Sequence, residues 1–138
     1  MPGKESLLPP DWFDKGNRDI ETIELLLAHG GDPEIMASHI EQAIEKYLKG
    51  YLLGRGWKLE RIHDLPALLD EAATHNAQFE QFRELCEVAT AFYFETRYPF
   101  LVNPPSKTEI EGYLAQTRGL IQFILAEEHQ ALNHSEEF

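Results

Sequence analysis

DPEIMASHIEQAIEKYLKGYLLGRG, residues 32–56, is the stretch that decides the fold. Asp32 is a strong N-cap, because its short side chain reaches back to a free amide of the first turn. Pro33 follows at the position where a missing N–H costs nothing. Met36, Ile40, Ala43, Ile44, Tyr47, Leu48 and Tyr51 then recur at spacings of three and four, which is the period of one buried helix face. The run reaches Leu53 before Gly54 and Gly56 break it. This is the longest helix the pattern predicts.

Similar signals repeat on both sides. Upstream, a helix opens near Pro10 and Asp11, carries Trp12, Phe13, Ile20, Ile23, Leu26 and Leu27 on one stripe, and stops at Gly30-Gly31, where glycine accepts the left-handed cap. Downstream, a short helix is predicted after Asp64, with Pro66 in its first turn and Leu65, Leu68, Leu69 and Ala72 inward, ending at His75-Asn76. A fourth carries Phe79, Phe82, Leu85, Cys86, Ala89, Phe92 and Tyr93 and must end within a turn of Pro99. Residues 100–105 read as a loop. A fifth opens with Ser106 and Glu109, the serine-x-x-glutamate capping box, and buries Ile110, Tyr113, Leu114, Thr117, Leu120, Ile121, Ile124 and Leu125. From His129 onward the acidic tail is expected to fray. No segment alternates like a strand. Short connections between amphipathic helices favour antiparallel neighbours. The expectation is an all-α, up-and-down antiparallel bundle of four main helices plus a short one, a single domain over residues 1–138 with its core at about 10–128.

Composition narrows the function. Twelve basic against 24 acidic residues give a net charge of −12, which repels phosphate backbones, so broad non-specific DNA binding is not expected. A small basic patch in an acidic whole can still hold one nucleotide or a local RNA segment. No apolar run approaches the roughly 20 residues of a membrane helix, and the N-terminus lacks a signal core, so a cytoplasmic protein is expected. The lone Cys86 cannot form an intrachain disulfide or a cysteine metal cluster, and its place in an apolar stripe points to a buried, inert thiol.

Few residues invite a chemical reading. Glu45 and Lys49 stand in the favourable order for a surface ion pair, and Lys46 is placed to snorkel along the bundle. His63 precedes the N-cap Asp64, where it can bond a backbone carbonyl or approach a phosphate. His29, His39, His75, His129 and His134 have no metal-site spacing, so neither a metal nor a cofactor is expected. The aromatics Phe92, Tyr93, Phe94, Tyr98 and Phe100 exceed what one stripe can bury. They are candidates for a subunit interface, with packing inside the monomer as the alternative.

Three segments in order, HIEQAIEKYLKGYLLGRGW (39–57), RIHDLPALL (61–69) and ATAFYFETRYP (89–99), resemble the HEPN family, the higher eukaryotes and prokaryotes nucleotide-binding domain. The features that match are Gln42, Ala43, Glu45, Lys46, Leu48 and Lys49, then His63, Asp64, Leu65 and Leu68-Leu69, then Arg97, Tyr98 and Pro99. The resemblance implies a four- or five-helix bundle that dimerises. It also implies, for a stand-alone prokaryotic member, a minimal nucleotidyltransferase as partner, often as a toxin–antitoxin pair. Many relatives are metal-independent ribonucleases with an arginine followed four to six residues later by a histidine. Here the sixth residue after Arg97 is Asn103, which hydrogen-bonds but does not titrate. The fold, the dimer and the partner are therefore carried over, and the nuclease activity is not. Lys46, Lys49, His63 and Arg97 are the candidates to hold a nucleotide or RNA phosphate. Arg97 and His63 would be the catalytic pair if a degenerate nuclease activity existed, and a plain interaction scaffold is the third possibility. For Arg97 the alternative is an ion pair with a carboxylate such as Glu95.

Overall fold

The computed structural model describes residues 4–95 and 104–136. In chain order it contains α1 (Pro9–His29), α2 (Pro33–Leu53), α3 (Leu65–Ala73), a 3-10 segment (Ala77–Phe82), α4 (Arg83–Glu95) and α5 (Lys107–Glu136), with no strand among the described residues. The start and stop signals work as physical chemistry requires. Asp32 accepts from the amide of Glu34, and Asp64 from that of Ala67. Gly30 ends α1 at φ 73. Ser106 and Glu109 exchange side-chain and backbone hydrogen bonds at 3.1 and 3.2 Å, closing the capping box at the head of α5. Two details differ from the sequence expectation. Phe79 and Phe82 belong to the 3-10 segment rather than to α4, because Asn76 caps Gln78 and starts a tighter turn there. Helix α5 continues to Glu136, past the point where fraying was expected.

Helix α2 is the axis of the molecule. It packs on α1, α3, α4 and α5, so nearly its whole circumference is buried, charged residues included. Helices α1 and α2 run antiparallel: Phe13 faces Gly50, Gly16 faces Tyr47, and Asp19 meets His39. Their approach is close because both contact helices offer glycine. A Cβ on Gly16 would lie 2.7 Å from the Tyr47 ring, and one on Gly50 would lie 2.7 Å from the Phe13 ring. Those two rings stack with centroids 5.3 Å apart, filling the space the glycines leave. Helices α4 and α5 are also antiparallel, with Phe92 edge-on to Tyr113 and Phe82 to Phe123. Phe92 is therefore core, 6% exposed, and not the interface residue its aromatic neighbourhood suggested. Packing within the monomer claims it first. Tyr98 and Phe100 lie outside the described residues.

Candidate functional site

Buried charge on α2 defines the site. Glu41, Glu45 and Lys49 occupy successive turns of one face and are all buried. A charge taken out of water needs a partner of opposite sign or several hydrogen bonds. Glu45 has two. Its Oε2 accepts from Lys49 Nζ at 3.3 Å, and its Oε1 bonds His63 Nδ1 at 2.7 Å. The Glu45–Lys49 pair predicted for the surface is thus an interior pair, with side chains 7% and 5% exposed, because the loop after α2 and the helix α1 fold over it. Lys49 also lies 5.9 Å from the Trp12 ring centroid of α1. His63 stacks on Tyr93, with centroids 4.1 Å apart and planes 14° from parallel. Its backbone carbonyl accepts from the Thr90 hydroxyl at 2.9 Å, and that hydroxyl accepts from the amide of Leu65. The imidazole is therefore fixed by α2 at one nitrogen and by α4 at one face, while its side chain remains 38% exposed.

A second buried carboxylate, Asp19 of α1, holds Lys46 Nζ at 2.6 Å and His39 Nδ1 at 2.7 Å. Lys46 reaches across the α1–α2 seam rather than lying along it. Beside this seam a groove of about 350 Å³ is lined by Glu5, Ser6, Asp11, Trp12, Asp14, Lys15 and Lys46. Just past the end of α2, Arg55 lies 3.6 Å over the Tyr51 ring and pairs with Glu128 of α5 at 2.5 Å. Burial pushes the Tyr51 phenol up from its ordinary value, against the opposing pull of the Arg55 guanidinium.

Lys49 and His63 thus converge on one carboxylate, while Lys46 belongs to a separate cluster across Trp12. Arg97 and Asn103 lie outside the described residues. Sequence reasoning missed Asp19, His39 and Glu41. The available signal was positional: Asp19 adjoins the Ile20–Ile23 stripe, and Glu41 and Glu45 sit beside Ile40 and Ile44, so burial of these acids was readable, although their partners were not. Glu41, Glu45 and His63 also bring three ligand atoms within 4.8 Å of one another, a set able to hold a metal ion. The Lys49 ammonium already supplies positive charge to Glu45 there. What the arrangement does chemically is orient an imidazole: a buried carboxylate holds Nδ1 while the side chain stays partly exposed, the disposition of a carboxylate-oriented histidine.

Among known proteins, the family model described as the HEPN domain matches residues 10–129. No curated protein and no solved structure matched the chain.

Proposed function

Since this chain belongs to the HEPN domain family over nearly its whole length, we propose that it is a non-catalytic accessory member, a cytoplasmic homodimer that pairs with a minimal nucleotidyltransferase in a toxin–antitoxin-like or nucleotide-binding role. The observation that carries this reading is the commitment of the site's charged groups to one another. Lys46 neutralises Asp19, and Lys49 and His63 share Glu45, so the cluster spends its charge on holding helices together. The sequence after Arg97 supports it, because Asn103 stands where the nuclease signature would place a histidine. In this reading Arg97 and the partly exposed His63 touch a nucleotide or RNA phosphate, and Lys46 and Lys49 act by cancelling the carboxylates that would repel it. Co-expression with a minimal nucleotidyltransferase from the same genome, followed by affinity purification and light scattering, tests the proposal. Co-elution at the mass of a complex containing two copies of this chain is expected, and a monomer that leaves the partner behind overturns it.

The carboxylate-held His63 favours a second reading, a metal-independent ribonuclease with a degenerate site, in which His63 is the proton shuttle and Arg97 the phosphate fork. RNA cleavage in excess chelator that disappears in both His63→Ala and Arg97→Ala would establish it in place of the first.

A further inference from the structure

Six of the described lysines and arginines are ion-paired: Arg18, Lys46, Lys49, Arg55, Arg83 and Arg118. Lys4, Lys15, Lys58, Arg61 and Lys107 have no hydrogen-bond or ion-pair partner among the described residues. Lys15 faces the carboxylate-lined groove, and Lys4 and Lys107 are followed closely by Glu5 and Glu109. Lys58 and Arg61 also have an acid nearby, but the two cations share one, Glu60. Both are exposed on the loop between α2 and α3, which ends at His63.

That loop is held in shape from the inside. The amide of Trp57 donates to the Leu52 carbonyl at 3.1 Å, Gly56 takes φ 82 to make the turn, and the side chains of Trp57 and Ile62 pack against the core. Its far end is fixed by the Thr90 hydroxyl, which bridges the His63 carbonyl and the Leu65 amide. With Trp57 and Ile62 turned inward, the loop displays Lys58 and Arg61 to solvent from a backbone pinned at both ends, so little ordering entropy is lost when they bind. Next to them the partly exposed His63 ring lies flat on Tyr93.

We propose that this loop is a contact surface for the phosphodiester backbone of a single-stranded nucleic acid, with Lys58 and Arg61 as its cations and the His63–Tyr93 stack as an aromatic platform for a base. The inference rests on the nucleotide-binding or RNA-binding role given above and adds to His63 two loop cations that hold no carboxylate. Unpaired cations gain more from a phosphate than cations already holding a carboxylate, because nothing has to be broken. Aromatic rings beside a cationic track are how sequence-tolerant single-strand binding is built. A second acidic protein would satisfy the cations but make no use of the rings. Glu60, exposed between the two cations, opposes binding and gives the test a second sign.

The experiment is fluorescence anisotropy of an end-labelled, unstructured oligoribonucleotide of about ten nucleotides, titrated with the full chain over a range of salt. Two phosphate contacts predict a log–log salt slope of about −1.4. Lys58→Ala and Arg61→Ala should each weaken binding roughly fivefold at low salt and make the slope shallower by about 0.7. Glu60→Lys should tighten binding, and Lys107→Ala should change nothing. All four substituted side chains are solvent-exposed, and thermal melts confirm that the variants fold. No binding by the unaltered chain overturns the inference, as does equal weakening by Lys107→Ala. Competition by polyglutamate as strong as by unlabelled RNA reassigns the surface to an acidic protein and also overturns it. Co-purification with the nucleotidyltransferase is read separately, so loss of this inference leaves the family-based reading standing or falling on its own result.

Discussion

At Glu45 a lysine ammonium and an imidazole converge on one carboxylate that water scarcely reaches. Removing its charge strands the buried Lys49 ammonium, and uncompensated buried charges are costly. Glu45→Gln should lower the unfolding free energy by about 3 kcal/mol, read as a reduced urea midpoint at unchanged slope. By contrast, the Arg18–Asp14 pair has side chains 62% and 61% exposed, and Arg18→Ala should cost no more than about 0.5 kcal/mol. Equal losses from the two substitutions would contradict the interior assignment. Cys86 is a second residue-scale case. Burial pushes its thiol up from 9.0 to about 12. The folded chain keeps the proton while the unfolded chain releases it, so the stabilising difference is intact below the unfolded value and shrinks as pH rises toward the folded one. The raised Tyr47 and Tyr51 phenols act in the same direction. The urea midpoint should therefore fall between about pH 9 and pH 11, less steeply in Cys86→Ala. At neutral pH a thiol-reactive dye should label Cys86 only on unfolding, and rapid labelling of the native protein would refute its burial.

The pairing of α1 with α2 depends on what glycine leaves out. Both Gly16→Ala and Gly50→Ala improve intrinsic helix propensity by about 1 kcal/mol. Each nevertheless drives a Cβ to 2.7 Å from an aromatic ring that is itself stacked and cannot swing away. Both substitutions should be destabilising. Gly112, within α5, has nothing within 4 Å of an added Cβ, so Gly112→Ala should stabilise by roughly 0.5–1 kcal/mol. Thermal unfolding of the three variants checks the contrast, and a stabilised Gly16→Ala would mean that α1 sits farther from α2. The helices themselves were legible residue by residue: Asp32 and Asp64 cap where their side chains predict, and the Ser106–Glu109 box closes. What local pattern could not assign was the 3-10 segment, because Phe79 and Phe82 fit a helical stripe equally well before the Asn76 cap is known to bond Gln78.

At the scale of the whole molecule, the net charge of −12 is a self-repulsion that the fold must withstand. Raising ionic strength from low salt should raise the melting temperature, since screening relieves that repulsion more than it weakens the buried pairs. A fall in melting temperature would show that exposed ion pairs dominate instead. The same charge predicts that long duplex DNA is not retained at physiological salt. The sequence by itself determined the all-α class, the limits of most helices and the family, because caps, glycine stops and three-and-four periodicity act within a turn or two of chain, and because the three segments that resemble the HEPN domain are contiguous strings. It singled out Glu45, Lys49 and His63, but read the first two as a surface pair. Only the tertiary structure decided that α2 is the central helix, that Lys46 answers Asp19 from 27 residues away, that His63 answers Glu45 from 18 residues away, and that Phe92 is core. Those contacts join residues with no local relation. Which buried charge finds which partner is settled by how amphipathic faces stack in space, and a one-dimensional pattern records that a face is buried without recording what lies against it.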